Sequence, residues 1–211
     1  MAKNYQIVSC TDIDGISQCA SLVKAGGVIV FPTDTIYGIG CDPYNDSVVA
    51  RIFRIKGRDE KKPLPLLTCS IQDAEKIVFL GRAGRILAQK FWPGALTIVA
   101  SVIDHGISSR VTVGNASLAV RMPANNCILS LLKHTKYLVG TSANLSGEKS
   151  LKSAREVIDS PLDGFDVLLD GGAVVGGIES TIIDIVAEAK PLILREGAIK
   201  SREVLDVLDN F

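Results

Sequence analysis

The side chains able to do chemistry in this 211-residue chain are short hydroxyls, an amide and a set of cations, and they recur at the ends of apolar runs. Thr33, Asp34 and Thr35 follow Val28–Phe31, and Lys56, Arg58 and Lys62 lie in KGRDEKK behind a helical stretch. Ser117 opens and Arg121 closes SLAVR, Ser142 and Asn144 lie in TSAN, Ser180 sits in ESTIID, and Arg195 ends LILR. Hydroxyls and amides donate to phosphate and carboxylate oxygens, and an Arg fork matches both. The sequence lacks GxSxG, GxxxxGK[ST], GxGxxG behind a strand, and any Cys–His pairing that spacing suggests. Anion binders gathered without a nucleophile suit reactions whose substrates carry the reactivity. In phosphoryl and nucleotidyl transfer, positioning and charge neutralisation account for most of the catalysis.

These residues need rigid elements behind them. Val28, Ile29, Val30 and Phe31 form a continuous apolar run typical of a strand buried on both faces, and Pro32 ends it. Thr33–Thr35 then lie beyond the strand's carboxyl end, where open α/β sheets place ligands, with Gly38 and Gly40 allowing backbone to approach one. Asp12 or Asp14 caps a helix bearing Ile16, Cys19, Ala20 and Val23, and Asn45 or Asp46 caps one over 47–56 ended by Gly57. Further helices read around Asp73–Val78, Ala83–Phe91, Ile128–Leu132, after Ser153, and over Glu203–Leu208. Strands read at Leu64–Thr68, Leu96–Val102, Ser117–Arg121, Tyr137–Gly140, Val167–Leu169, Ile182–Val186 and Leu192–Leu194. The alternation predicts an α/β fold with helices on a twisted, mixed sheet, in one domain over 1–211. The Thr33–Thr35 turn reads equally as ordinary capping, Arg121 as a structural ion pair, and KGRDEKK as a solvated charge run. In TSANLSG, four short hydrogen-bonding side chains after a buried strand exceed what a turn needs.

Twenty-three cations balance 23 anions, so any anion site must be a local cluster. Aromatic residues at 5% leave few stacking platforms for single-stranded RNA. Five cysteines, odd in number and without CxxC spacing, argue against a disulfide framework or zinc site and predict buried free thiols. Only His105 and His134 are available for imidazole chemistry. No signal-like start and no apolar run of membrane-spanning length appear, which predicts a soluble, cytoplasmic protein with no membrane partner.

FPTDTIYGIG, the K-x-R of KGRDEKKPL, WPGALT, LAVRMP, TSANLSG, ESTIID and LREG occur in the order and spacing of the YrdC/Sua5 family, which the chain resembles from about Gly15 to Ala198. The resemblance implies a YrdC-like mixed sheet flanked by helices around a concave basic cavity, in a short form. It implies L-threonylcarbamoyladenylate synthesis, in which L-threonine, bicarbonate or CO2 and ATP give threonylcarbamoyl-adenylate and pyrophosphate. A separate transferase complex then carries the group to adenosine 37 of tRNA. By the same resemblance, Thr35, Arg121, Ser142 and Ser180 hold threonine, with Arg121 on its carboxylate. Arg58, Lys62, Ser117, Asn144 and Arg195 contact ATP, with Ser150 near another nucleotide-contacting segment. Lys56 and Arg58 are the catalytic cations that neutralise the leaving pyrophosphate. Mg2+ enters with ATP, without a prosthetic group or a protein metal site. Asp59 stands where the family commonly has Pro, Leu67 where some members have His, and Lys152 where Thr is usual.

The alternative is a YciO-like paralogue or an RNA-binding module that uses the same cavity on tRNA or double-stranded RNA without making the adenylate. A hydrogenase-maturation carbamoyltransferase would need acylphosphatase and zinc-finger regions that do not fit this length.

Overall fold

A computed structural model describes residues 4–187 and 191–209. From the amino end run β1 (Gln6–Ser9), α1 (Ile13–Lys24), β2 (Ile29–Pro32), β3 (Tyr37–Gly40) and α2 (Asp46–Lys56). Next come β4 (Leu66–Thr68), α3 (Ile71–Ile77), β5 (Val78–Phe79), α4 (Gly81–Phe91), β6 (Leu96–Val102), α5 (Ser109–Thr112) and β7 (Ser117–Arg121). The chain continues through α6 (Asn126–Thr135), β8 (Tyr137–Val139), β9 (Thr141–Ser142), α7 (Ala154–Asp159), β10 (Val167–Asp170), β11 (Thr181–Asp184), β12 (Leu192–Arg195) and α8 (Ser201–Asp209). Helix starts follow capping chemistry. Asp12 accepts from the Gly15 N–H, Asn45 from Val48, Ser70 from Asp73, Asn125 from Cys127 and Ile128, and Ser153 from Glu156. Gly57, left-handed at φ 56°, closes α2.

The α/β expectation holds, but the strands divide between two mixed sheets where a single one was anticipated. One has the order β1-β10-β2-β3-β9, and the other β12-β11-β6-β7-β4-β8 with β5 on β6. β2 explains the uninterrupted apolar run. Val28 and Val30 pack into one hydrophobic cluster with β6 and α2, while Ile29 and Phe31 pack into a second with α1 and α6. Both faces are therefore buried, as parallel pairing with β10 requires.

β1, β3, β5, β9 and α5 are elements that periodicity did not single out. Their shortness explains this, since two to four residues carry no repeat. β3 also corrects the reading of Gly40 as a point of ligand approach, while Gly38 does line the cavity described below. A Cβ on Gly40 would lie 1.7 Å from the Val139 carbonyl oxygen, and one on Gly38 would lie 2.6 Å from the Phe31 ring. Close passage of β3 against its neighbours requires these glycines.

The cysteine expectation also needs correction. Cys10, between β1 and α1, is bonded to Cys127 at the start of α6, 117 residues away. Spacing detects frameworks and metal sites, whereas this pair is made by packing α1 on α6. Cys19 and Cys41 are buried free thiols, and Cys69 is half-buried and free.

Candidate active site

The β2–β3 hairpin turn is built from its own hydroxyls. Thr33 Oγ1 donates to the Ile36 carbonyl at 2.7 Å, receives the Thr35 and Ile36 N–H groups at 3.1 and 3.2 Å, and lies 2.9 Å from Thr35 Oγ1. This arrangement leaves Thr35 buried and fixed against Arg121 at the end of β7. The Arg121 guanidinium donates from Nε to the Gly94 carbonyl at 2.9 Å, from Nη1 to Thr35 Oγ1 at 3.0 Å and from Nη2 to Asp34 Oδ1 at 2.7 Å. Burial pushes the guanidinium down from its ordinary value, and Asp34 opposes that shift. Three of five N–H donors are thereby used, leaving one on each terminal nitrogen.

A cavity of about 470 Å³ opens here, walled by both sheets. Thr33, Thr35 and Gly38 line it from one side, and Thr97, Ser117, Arg121, Ser180 and Arg195 from the other. Ser142 on β9 and Arg58 in the α2–β4 loop complete the polar wall, with Leu67 among the apolar residues. Three arginines face two carboxylates, Glu179 and Asp184. Arg195 donates to the Ser180 carbonyl at 2.8 Å from Nη2 and pairs with Glu179. Glu179 also accepts from the Ser150 hydroxyl at 3.0 Å. Ser180 Oγ lies 2.8 Å from Thr97 Oγ1. The site thus offers an Arg fork that suits a carboxylate, and a second group of cations and hydroxyls in the same cavity.

The family model for Sua5, YciO and YrdC proteins, described as "Telomere recombination", matches residues 21–197. The chain belongs to this family. It is 34% identical over 191 residues to the threonylcarbamoyl-AMP synthase of Pyrococcus abyssi, covering 90% of this chain and 56% of that one. It is 35% identical over 198 residues to the threonylcarbamoyl-AMP synthase of Bacillus subtilis, covering 92% and 56%. This chain therefore spans little more than half the length of these two curated relatives. The P. abyssi Sua5 structure complexed with L-threonine superposes with a TM-score of 0.90 at 32% identity, covering 97% of this chain and 60% of that one.

Of the residues that the family resemblance singles out, Thr35, Arg58, Ser117, Arg121, Ser142, Ser180 and Arg195 share the one cavity. Lys56, Lys62 and Asn144 do not line it. Lys62 is exposed on the α2–β4 loop, where Asp59 Oδ1 receives the Lys61 N–H at 2.9 Å and makes the turn. Asn144 faces a second cavity, of about 330 Å³, and its Nδ2 donates to the Leu145 and Glu148 carbonyls at 2.9 and 2.7 Å.

Lys56 is only 2% exposed. Its ammonium donates to the carbonyls of Ser142 and of Asn144, the latter at 2.6 Å. Desolvation, then repulsion from Arg58, pushes it down to about 7, against some support from Glu179. Lys56 is thus bonded to the backbone that carries Ser142 and Asn144. Three participants were not singled out as site residues: Thr97, Glu179 and the Gly94 carbonyl. Glu179 adjoins Ser180 in ESTIID and Gly94 lies in WPGALT, so the motifs contained both. Thr97 closes the same WPGALT motif but, as one hydroxyl in an apolar strand, was read with the strand.

Proposed function

We propose that this chain is an L-threonylcarbamoyladenylate synthase, a nucleotidyltransferase acting in the cytoplasm that joins L-threonine, bicarbonate or CO2 and ATP and releases pyrophosphate. The observation that carries this reading is the pairing, in one cavity, of the buried Arg121–Thr35 fork with the Arg58, Ser117 and Arg195 group. The first set suits an amino-acid carboxylate and the second a nucleotide's phosphates. The relatives' names and the threonine-bound neighbour support the same assignment.

In the proposed reaction the neutral threonine amine attacks CO2, forming a C–N bond and losing a proton to give the carbamate. A carbamate oxygen then attacks the α-phosphorus of ATP as the bond to pyrophosphate breaks. Arg121 and Thr35 hold the carboxylate, and Ser142 and Ser180 position the rest of threonine. Arg58 and Arg195 neutralise developing phosphate charge. Lys56 serves by fixing the Ser142–Asn144 backbone, and Lys62 meets the nucleotide only if its loop folds inward. Among the described residues no group of three or more His, Cys, Asp or Glu side chains gathers to hold a metal. Mg2+ enters this proposal with the nucleotide substrate, screening phosphate charge. The product passes to a transferase complex that modifies tRNA, and a direct tRNA contact at the cavity rim belongs to the same proposal.

The test is pyrophosphate release from purified protein with ATP and bicarbonate, with L-threonine, with L-serine or with neither. Threonine-dependent release is the expected result. No release with any amino acid from folded, ATP-binding protein would overturn the assignment in favour of a binding role.

A further inference from the structure

Asp34 lies outside the wall of the cavity, yet it governs the group that matters most there. Its side chain is 18% exposed and that of Arg121 8% exposed, so the pair is largely shielded from water. One oxygen, Oδ1, makes both of its hydrogen bonds, accepting from Arg121 Nη2 at 2.7 Å and from the Ala124 N–H at 3.0 Å. Ala124 belongs to the segment between β7 and α6, so this oxygen ties the β2–β3 turn, the end of β7 and the approach to α6 at one point.

A guanidinium at the end of a flexible stem can turn about its last torsions, and its value as a carboxylate clamp depends on how few orientations it samples. Here Nε is held by Gly94, Nη1 by Thr35 and Nη2 by Asp34. Without the Asp34 bond, the plane is anchored only on the Nε and Nη1 edge. We propose that Asp34 is the positioning residue for Arg121, acting through the placement of Oδ1 and not through its negative charge. The Asp34 charge offsets the burial of Arg121, but it also repels an incoming carboxylate, so it does not by itself favour substrate binding. An oxygen in a fixed place aligns the two remaining N–H groups. This inference rests on the threonine reading above and adds to it a residue that does not touch the substrate.

Two substitutions separate placement from charge. Asp34→Asn keeps an oxygen where both hydrogen bonds converge and removes the charge. Asp34→Glu keeps the charge and moves the oxygen by one methylene. The measurement is L-threonine affinity by calorimetry, with ATP affinity and thermal melting on the same samples and KM and kcat from pyrophosphate release.

Placement predicts that Asp34→Asn binds threonine within about threefold of wild type or more tightly, because a repulsive charge is gone. It predicts that Asp34→Glu loses about tenfold or more, the size of a misaligned charge-assisted hydrogen bond, as a rise in KM for threonine. ATP affinity and kcat should move little in either variant. The reverse order, with Asp34→Glu near wild type and Asp34→Asn impaired, overturns the proposal in favour of a charge role. Equal affinity in all three proteins, or equal loss of threonine and ATP, overturns it as well. If wild-type protein binds ATP but no threonine, the threonine assignment itself fails and takes this inference with it, an outcome that the variants cannot mimic.

Discussion

Lys56 shows how a side chain's surroundings decide its chemistry. In the sequence it is one of four cations in KGRDEKK, set apart from Lys61 and Lys62 only by its place in the K-x-R motif and not by any sign that it is buried. In the fold it is enclosed at 2% exposure, with two backbone carbonyls as acceptors, while Lys61 and Lys62 are exposed. Its folded pKa, near 7, lies below the ordinary lysine value, so the unfolded chain binds more protons between those limits. Stability should therefore rise with pH from about 7 toward the unfolded lysine pKa, and the burial penalty is fully present below 7. Between pH 7 and 9 the wild type should gain about 2 kcal/mol relative to Lys56→Met, read from urea midpoints of both proteins at each pH. Parallel pH profiles would show that Lys56 stays charged throughout. Arg58, two residues on, lines the cavity and donates to the Pro63 carbonyl at 3.0 Å, so one motif contains a fully buried cation and a cavity-lining one.

At the scale of elements, the site depends on how closely β3 passes its neighbours. β3 pairs with β2 and β9, and β9 carries Ser142 into the cavity, so displacement of β3 moves both the Thr33–Thr35 turn and Ser142. Gly40→Ala should destabilise the protein by more than about 3 kcal/mol, because the new Cβ meets backbone, which cannot turn aside as a side chain can. Gly57→Ala, where no atom lies within 4 Å of the added Cβ, should cost only the left-handed backbone penalty of about 1–2 kcal/mol. Denaturant titration of the two variants gives the order, and equal losses would contradict this account of β3. Strand ends and caps were legible because each has a local cause. Pro32 ends β2, and Asn45, one of the two caps the sequence offered, brackets α2 with Gly57. The bounds of β6 and β7 agree with the hydrophobic reading for the same reason.

Across the whole molecule, the Cys10–Cys127 bond joins the β1–α1 turn to α6 and closes most of the chain into a loop. On the chain-entropy account, reduction or a Cys10→Ser/Cys127→Ser variant should lower unfolding free energy by about 2–4 kcal/mol, measured with and without a dithiol reductant. An unchanged midpoint would mean that packing of α1 on α6 suffices. This bond is a tertiary fact, since it depends on two helices meeting. The sequence by itself determined the apolar strands, the caps, the anion-binding character of the polar residues and, through seven motifs in register, the family. Those properties follow from side-chain type and near neighbours. Only the tertiary structure decided that there are two sheets, that Arg121 is clamped by Asp34, and that Lys56 is buried on the Ser142 and Asn144 carbonyls while Arg58 lines the cavity. Each of these depends on contacts between residues far apart in the chain, and the energy of burying or pairing a charge is set by what the fold brings beside it.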